Sequence, residues 1–150
     1  MKQIYLELIL LIERLHRRFL DVIKNELDRL GIEDINNVQT LILYNIGAEN
    51  LTIGELTNRG YYLGSNVSYN IKKLVENEYL VQERSAHDKR SVKIKLSQKG
   101  LHLCEKIDSL YERNINELVS KVMPQEDITS LNKNLKNLEV FWTRWIAAKM

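Results

Sequence analysis

Residues 64–100 read GSNVSYNIKKLVENEYLVQERSAHDKRSVKIKLSQKG, and this stretch decides the fold. Val67, Ile71, Leu74 and Val75 recur at the spacing of one buried helical face. The rest of that helix is Ser65, Asn66, Ser68, Tyr69, Asn70, Lys72 and Lys73, with no carboxylate before Glu76. Further on, Val92, Ile94 and Leu96 alternate with Lys93 and Lys95, the period of a half-buried strand. His87-Asp88-Lys89-Arg90 lies between that strand and an earlier one containing Arg84, and reads as a tight basic turn. The stretch is a helix with a polar, then cationic, face followed by a two-stranded hairpin.

Working outward, Thr52-Ile53-Gly54-Glu55 has the capping-box spacing that starts a helix, and Arg59-Gly60 ends it. Tyr61-Tyr62-Leu63-Gly64 is then a turn, and Ser65 is placed to cap the next helix. Two short helices joined by a tight turn form a helix-turn-helix, whose second helix enters the major groove of DNA. Charge agrees with this. From Arg59 to Lys99 there are nine Lys or Arg against four acids, a net +5, whereas the rest of the chain is −3 and the total +2. A localised basic face matters more to a line of phosphates than the total charge does.

The chain has 150 residues, 44% hydrophobic and 28% charged, the balance of one folded domain with or without an oligomerisation extension. The single cysteine, Cys104, excludes an internal disulfide and suits a reducing cytoplasm. The apolar run Ile4–Ile12 is too short to span a bilayer, and its basic cluster Arg14, Arg17, Arg18 follows it rather than preceding it as in a signal peptide.

Long helices flank the central module. The first is expected over about residues 2–30, ending at Gly31, with Ile4, Leu8, Leu11, Leu15, Phe19, Val22 and Leu27 on one face and Leu6, Ile9, Leu10 and Ile12 on another. A second runs from about Asn36 to Ile46 with Val38, Leu41, Ile42 and Leu43 inward. After the hairpin, Ser97 opens a helix with Leu101, Cys104, Ile107, Tyr111, Ile115, Leu118 and Val122 on its stripe. Pro124 breaks it, and Ile128, Leu131, Leu135, Leu138, Trp142 and Trp145 then form a heptad seam. So much apolar surface at both ends predicts a homodimer, with Ile4, Leu8, Leu11, Leu131, Leu135, Leu138, Trp142 and Trp145 at its interface. The expected fold class is mainly α with a small β-hairpin wing. Residues 1–35 form an N-terminal dimerisation helix, 36–100 a winged helix-turn-helix and 101–150 C-terminal dimerisation helices, intertwined as one domain.

With these elements in order, the chain resembles the MarR family of bacterial transcription regulators. The likeness is carried by Asp88-Lys89-Arg90-Ser91, the alternating strand after it, and Leu96-Ser97-Gln98-Lys99-Gly100. The string RGYYLGSNVSYN (59–70) is further similar to a subgroup of alphaproteobacterial members. Two features depart from the family pattern: Gly60-Tyr61-Tyr62 in the turn, and a recognition helix without arginine between Ser65 and Tyr79. The resemblance implies that the wing aspartate, here Asp88, braces the wing, and that the tip arginine, here Arg90, enters the minor groove. It also implies control by a small aromatic or anionic effector, for which Phe19, Ile23, Thr40, Tyr44 and Tyr111 would line the cleft.

For the DNA contacts, Ser65, Asn66, Ser68, Tyr69 and Asn70 are candidates for base edges and phosphates, because asparagine can pair with adenine N6 and N7. Lys72, Lys73, Arg84, His87, Lys89 and Arg90 suit the backbone, Arg90 in a narrow minor groove. Asp88 among these cations would repel DNA unless it aims Arg90 or a wing amide. Catalysis and a metal cofactor find no support. His102 and Cys104 do not share a helical face, Glu13–His16 is one isolated pair, and no phosphate loop or nucleophile elbow is present. Cys104 on an apolar stripe reads as a packed thiol. The competing function is a winged-helix protein-interaction adaptor that binds no DNA.

Overall fold

The computed structural model describes residues 1–58, 64–84 and 92–149. In chain order they form α1 (Lys2–Arg29), α2 (Asn37–Ile46), β1 (Leu51–Thr52), α3 (Ile53–Asn58), α4 (Gly64–Glu76), β2 (Leu80–Arg84), β3 (Val92–Leu96), α5 (Gln98–Lys121) and α6 (Gln125–Lys149). They fall into two compact units, Met1–Asp108 and Ser109–Met150.

In the first unit the end of α1 gives Ile23 and Leu27 to a core with Ile42 and Leu43 of α2, Leu56 of α3 and the inner face of α4. Three of the four positions expected on that α4 face are buried, Val67, Ile71 and Leu74 at 0–1% exposed, while Val75 is half-buried. Burying an aliphatic side chain of this size is worth about 1.5–3 kcal/mol, so these three hold the helix in place. In α2 the inward set is Gln39, Thr40, Ile42, Leu43 and Ile46, while Val38 and Leu41 are only half-buried. Asn36 caps α2: its Oδ1 accepts from Gln39 N–H at 2.8 Å, and Gln39 Oε1 accepts from Asn36 N–H at 3.1 Å. This full capping box was visible as Asn36-x-x-Gln39. At α3 the expected box is one-sided: Thr52 Oγ1 accepts from Glu55 N–H at 3.0 Å, and Thr52 is itself paired with Lys93 of β3.

The hairpin is part of a three-stranded antiparallel sheet in the order β1-β3-β2. The third strand, β1, is an addition to the expected pair; two residues are too few to display a period. β2 and β3 run in register from Leu80↔Leu96 to Arg84↔Val92. Central β3 buries Ile94 and Leu96 and exposes Lys93 and Lys95, whereas edge strand β2 buries only Leu80.

The ends of α1 and α4 are the same motif built from different residues. At α1, Gly31 at φ +70° donates to Asp28 O and Ile32 donates to Leu27 O. At α4, Glu78 at φ +66° donates to Val75 O and Tyr79 donates to Leu74 O. Both are Schellman ends, which need a left-handed residue just past the helix.

Ser97 caps α5 by accepting from Gly100 N–H at 3.1 Å, and its own hydroxyl donates to Glu78 O at 2.6 Å. The buried stripe of α5 is the expected one only at Ile107. Leu103, Ile107 and Leu110 are buried, Leu101 is exposed and Cys104 half-buried. Gly100 supplies the reason. A Cβ there would run into the Tyr79 carbonyl, so α5 comes closest along its Gly100 side. Leu103 and Ile107, three and seven residues on, then face inward.

The second unit is the end of α5 and all of α6. Pro124 precedes α6, and its carbonyl accepts from Asp127 and Ile128. Leu131, Leu135 and Trp145 of the expected seam are 42–56% exposed in the single chain, with Val140, Phe141 and Ile146 also exposed. Phe141 and Trp145 stack with ring centres 5.9 Å apart.

Candidate nucleic-acid interface

The geometry of α4 follows from its buried stripe. With Val67, Ile71 and Leu74 facing the core, Asn66, Ser68, Tyr69 and Lys72 stand exposed on the other side. Lys73 is half-buried. Its ammonium lies 3.5 Å from Glu76 and 5.8 Å from the centre of the Tyr69 ring, which steadies the tyrosine. α4 begins at Gly64, so Ser65 falls within its first turn.

Asn70 is the clearest correction. It is 8% exposed, and its Oδ1 accepts from Gln39 Nε2 at 3.2 Å. It therefore turns toward α2 and away from the exposed face. Asn66, one turn earlier, keeps that face. The two differ because successive positions four apart drift by about 40° around the helix.

In the sheet, Arg84 ends β2 with an exposed side chain. Glu83 holds Lys95 at 2.5 Å, and the Lys95 ammonium keeps the Glu83 carboxyl below its ordinary range. Arg84 at the end of edge strand β2 and Lys93 on central β3 have no ion-pair partner among the described residues and leave exposed cations on this sheet. His87, Asp88, Lys89 and Arg90 lie outside the described residues.

The root of the hairpin is tied by a polar cluster that the sequence reading did not single out. Asp34 accepts from Tyr79 OH at 2.6 Å and from Lys99 Nζ at 2.6 Å; Lys99 also donates to Asn77 O at 2.8 Å and lies 4.2 Å from the Tyr79 ring centre. Burial is the largest influence on the Asp34 carboxyl and pushes its pKa up, yet the Lys99 and Tyr79 bonds together outweigh it and hold it below the ordinary value. Burial and Asp34 push the Tyr79 phenol up. Three of the five residues Leu96-Ser97-Gln98-Lys99-Gly100 are thus explained: Ser97 caps, Lys99 clamps and Gly100 admits the Tyr79 carbonyl.

Two of the five expected effector contacts are closed. Ile23 and Thr40 are completely buried, and the Thr40 hydroxyl donates to Asn36 O at 2.8 Å. Tyr44 donates to Asp108, Phe19 is partly exposed, and Tyr111 belongs to the second unit. Burial, with the Asp108 charge adding to it, pushes the Cys104 thiol up to about 11, the state of a packed thiol rather than a reactive one. Among the described residues no three His, Cys, Asp or Glu gather as a metal site, and no helix is long and apolar enough to cross a membrane.

The sequence pattern of the MarR family matches residues 33–91, from just before α2 to just before β3. The exopolysaccharide II synthesis transcriptional activator ExpG of Rhizobium meliloti is 37% identical over 138 residues, which cover 92% of this chain and 71% of ExpG. The chain belongs to the MarR family. Solved structures agree on the fold. FabT of Streptococcus pneumoniae, in complex with DNA, superposes with a TM-score of 0.73 at 21% identity, over 93% of this chain and 98% of FabT. The S. aureus MepR–DNA complex gives a TM-score of 0.71 at 22% identity, over 87% of this chain and 94% of MepR. In MarR-family terms, α3 and α4 are the helix-turn-helix and β2–β3 the wing.

Proposed function

We propose that this MarR-family chain is a dimeric transcription regulator that binds duplex DNA in a sequence-specific way. The observation that carries this is the two-sided character of α4. One side is locked into the core, and the other offers Asn66, Ser68, Tyr69 and Lys72 with no acid before Glu76. ExpG, by its name a transcriptional activator, and the two relatives solved with DNA support the reading. Asn66, Ser68 and Tyr69 read base edges in the major groove, and Ser65, Lys72, Lys73 and Arg84 hold phosphates. Arg90 enters the minor groove, aimed by Asp88, with His87 and Lys89 beside it on the backbone.

A second copy of the chain covers Ile4, Leu8 and Leu11 of α1 and Leu131, Leu135, Leu138, Trp142 and Trp145 of α6. The two recognition helices then meet half-sites about 34–36 Å apart in a pseudo-palindrome. In this arrangement residues 1–35 and 101–150 serve dimerisation and 36–100 the DNA. The protein works in the cytoplasm on DNA. A small aromatic or anionic effector acts near Phe19 and Tyr44, and a thermal-shift panel of aromatic acids and phenols, followed by DNA release, tests it. If no compound changes melting or DNA affinity, effector control is wrong.

The main experiment is a mobility-shift titration on random-pool duplex at low and moderate salt, with the bound sequences recovered. Enrichment of a two-fold motif, and affinity that falls steeply with salt, are expected. Binding that is absent at low salt leaves the protein-interaction adaptor as the better reading.

A further inference from the structure

Asn70 is buried on a helix whose outer face is polar, and its partner, Gln39, is buried as well, at 7% exposure. The Gln39 amide cannot turn round. Its Oε1 accepts from the Asn36 N–H, so its Nε2 must point the other way, to Asn70 Oδ1 at 3.2 Å. Gln39 is thus the reciprocal partner of Asn36 in the α2 capping box and, through the other end of the same amide, the anchor of α4. The α2 N-terminus is held in turn by Asn37, whose Nδ2 donates to Leu20 O of α1 at 3.2 Å.

The apolar stripe fixes which face of α4 meets the core, but sets the fine rotation of the helix less sharply than a directional bond does, because apolar contacts are non-directional. A buried hydrogen bond is directional. Helices are about 5–6 Å in radius with side chains, so turning α4 by about 15° would carry a side-chain tip about 1.5 Å. Hydrogen bonds to base edges tolerate about 0.5 Å.

We propose that the buried Gln39–Asn70 amide pair is a positioning device that sets the rotation of α4 about its own axis and thereby aims Asn66, Ser68 and Tyr69. This rests on the DNA-binding reading above. Gln39 never touches DNA in that reading, so any change in base discrimination on altering it must act through α4.

The test uses full-length protein and the duplex recovered by random-pool selection with the unaltered chain. Affinities are measured for that duplex, for each of its single-base variants and for random duplex, with melting followed alongside. Gln39→Met removes the bond at nearly constant volume. It should lower discrimination roughly tenfold at several base pairs together, while random-duplex affinity holds. Gln39→Glu should restore discrimination, since its carboxylate still accepts from Asn36 N–H and the Asn70 amide can turn to donate. If Gln39→Met folds poorly, the double variant Gln39→Met/Asn70→Leu removes both polar groups, which is close to neutral for stability, and should show the same loss. Full discrimination in Gln39→Met or the double variant overturns the proposal. So does a loss confined to one base pair in Asn70→Ala with Gln39→Met unaffected, which would make Asn70 a base reader. Equal losses in Gln39→Met and Gln39→Glu would make Gln39 merely structural. If the unaltered chain selects no sequence, the DNA-binding reading itself fails, and this proposal falls with it.

Discussion

Helices α4 and α6 carry apolar stripes of similar regularity and meet different fates. In α4, Val67, Ile71 and Leu74 vanish into the core of the first unit. In α6, Leu131, Leu135 and Trp145 remain about half exposed, and the first half of α1 is like it, with Ile4, Leu11 and Leu15 exposed. Periodicity identifies a face that must be covered but not what covers it. For α4 the cover is this chain. For α6 and the start of α1 we assign it to a second copy.

The largest effect should separate the two cases most sharply. Ile71→Ala should cost about 2–5 kcal/mol of stability, seen as a fall in denaturation midpoint that does not depend on protein concentration. A loss under 1 kcal/mol would mean that α4 is not locked as described. Trp145→Ala should leave the fold intact and act on assembly, raising the dimer dissociation constant by roughly thirtyfold, about 2 kcal/mol. Sedimentation across a dilution series measures it. An unaltered chain that sediments as a folded monomer at low micromolar concentration removes the comparison altogether.

A smaller effect concerns the polar tie that holds the hairpin root on the covered side. The Asp34 carboxyl sits below its ordinary pKa of 3.8, so its contribution is complete above that value and is lost as pH falls through the lower, folded-state value. Asp34→Asn should therefore lower the melting temperature at neutral pH and flatten the acid limb below about pH 4, in a direction set by that sign. The group is half exposed, so the loss should be smaller than for Ile71→Ala. An unchanged acid limb would show that the Lys99 and Tyr79 bonds do not favour the charged form.

The smallest effect compares the two Schellman ends. Glu78→Gly at φ +66° should stabilise by up to about 1 kcal/mol, and Gly31→Ala at φ +70° should destabilise by about 1 kcal/mol. Equal melting temperatures for both variants and the unaltered chain would mean that neither left-handed residue is strained.

Element types and order were legible in the sequence, because they depend on local signals. The α4 stripe, the alternation in β3, the Ser97 cap, Gly31 at the end of α1 and Pro124 before α6 all stand where their spacing placed them. So did the exposed Asn66, Ser68, Tyr69 and Lys72, since a helical period that buries Val67, Ile71 and Leu74 leaves those positions outward. What the sequence left open were choices between surfaces of similar polarity. Strand β1 has only two residues and exists because β3 offers it an edge. The α5 stripe keeps the expected Ile107 but takes Leu103 in place of Leu101 and Cys104, because a glycine lets a carbonyl come close on that side. Thr40 and Ile23 look like pocket-lining residues by type and are core by position. Asn70 has the chemistry of a base reader and lies one turn from Asn66. The helical drift of about 40° brings it to the border of the buried stripe, and Gln39 of α2, 31 residues away in the chain, meets it there. A hydrogen-bonding side chain on a helix boundary can serve either side, and the partner that decides between them belongs to tertiary structure.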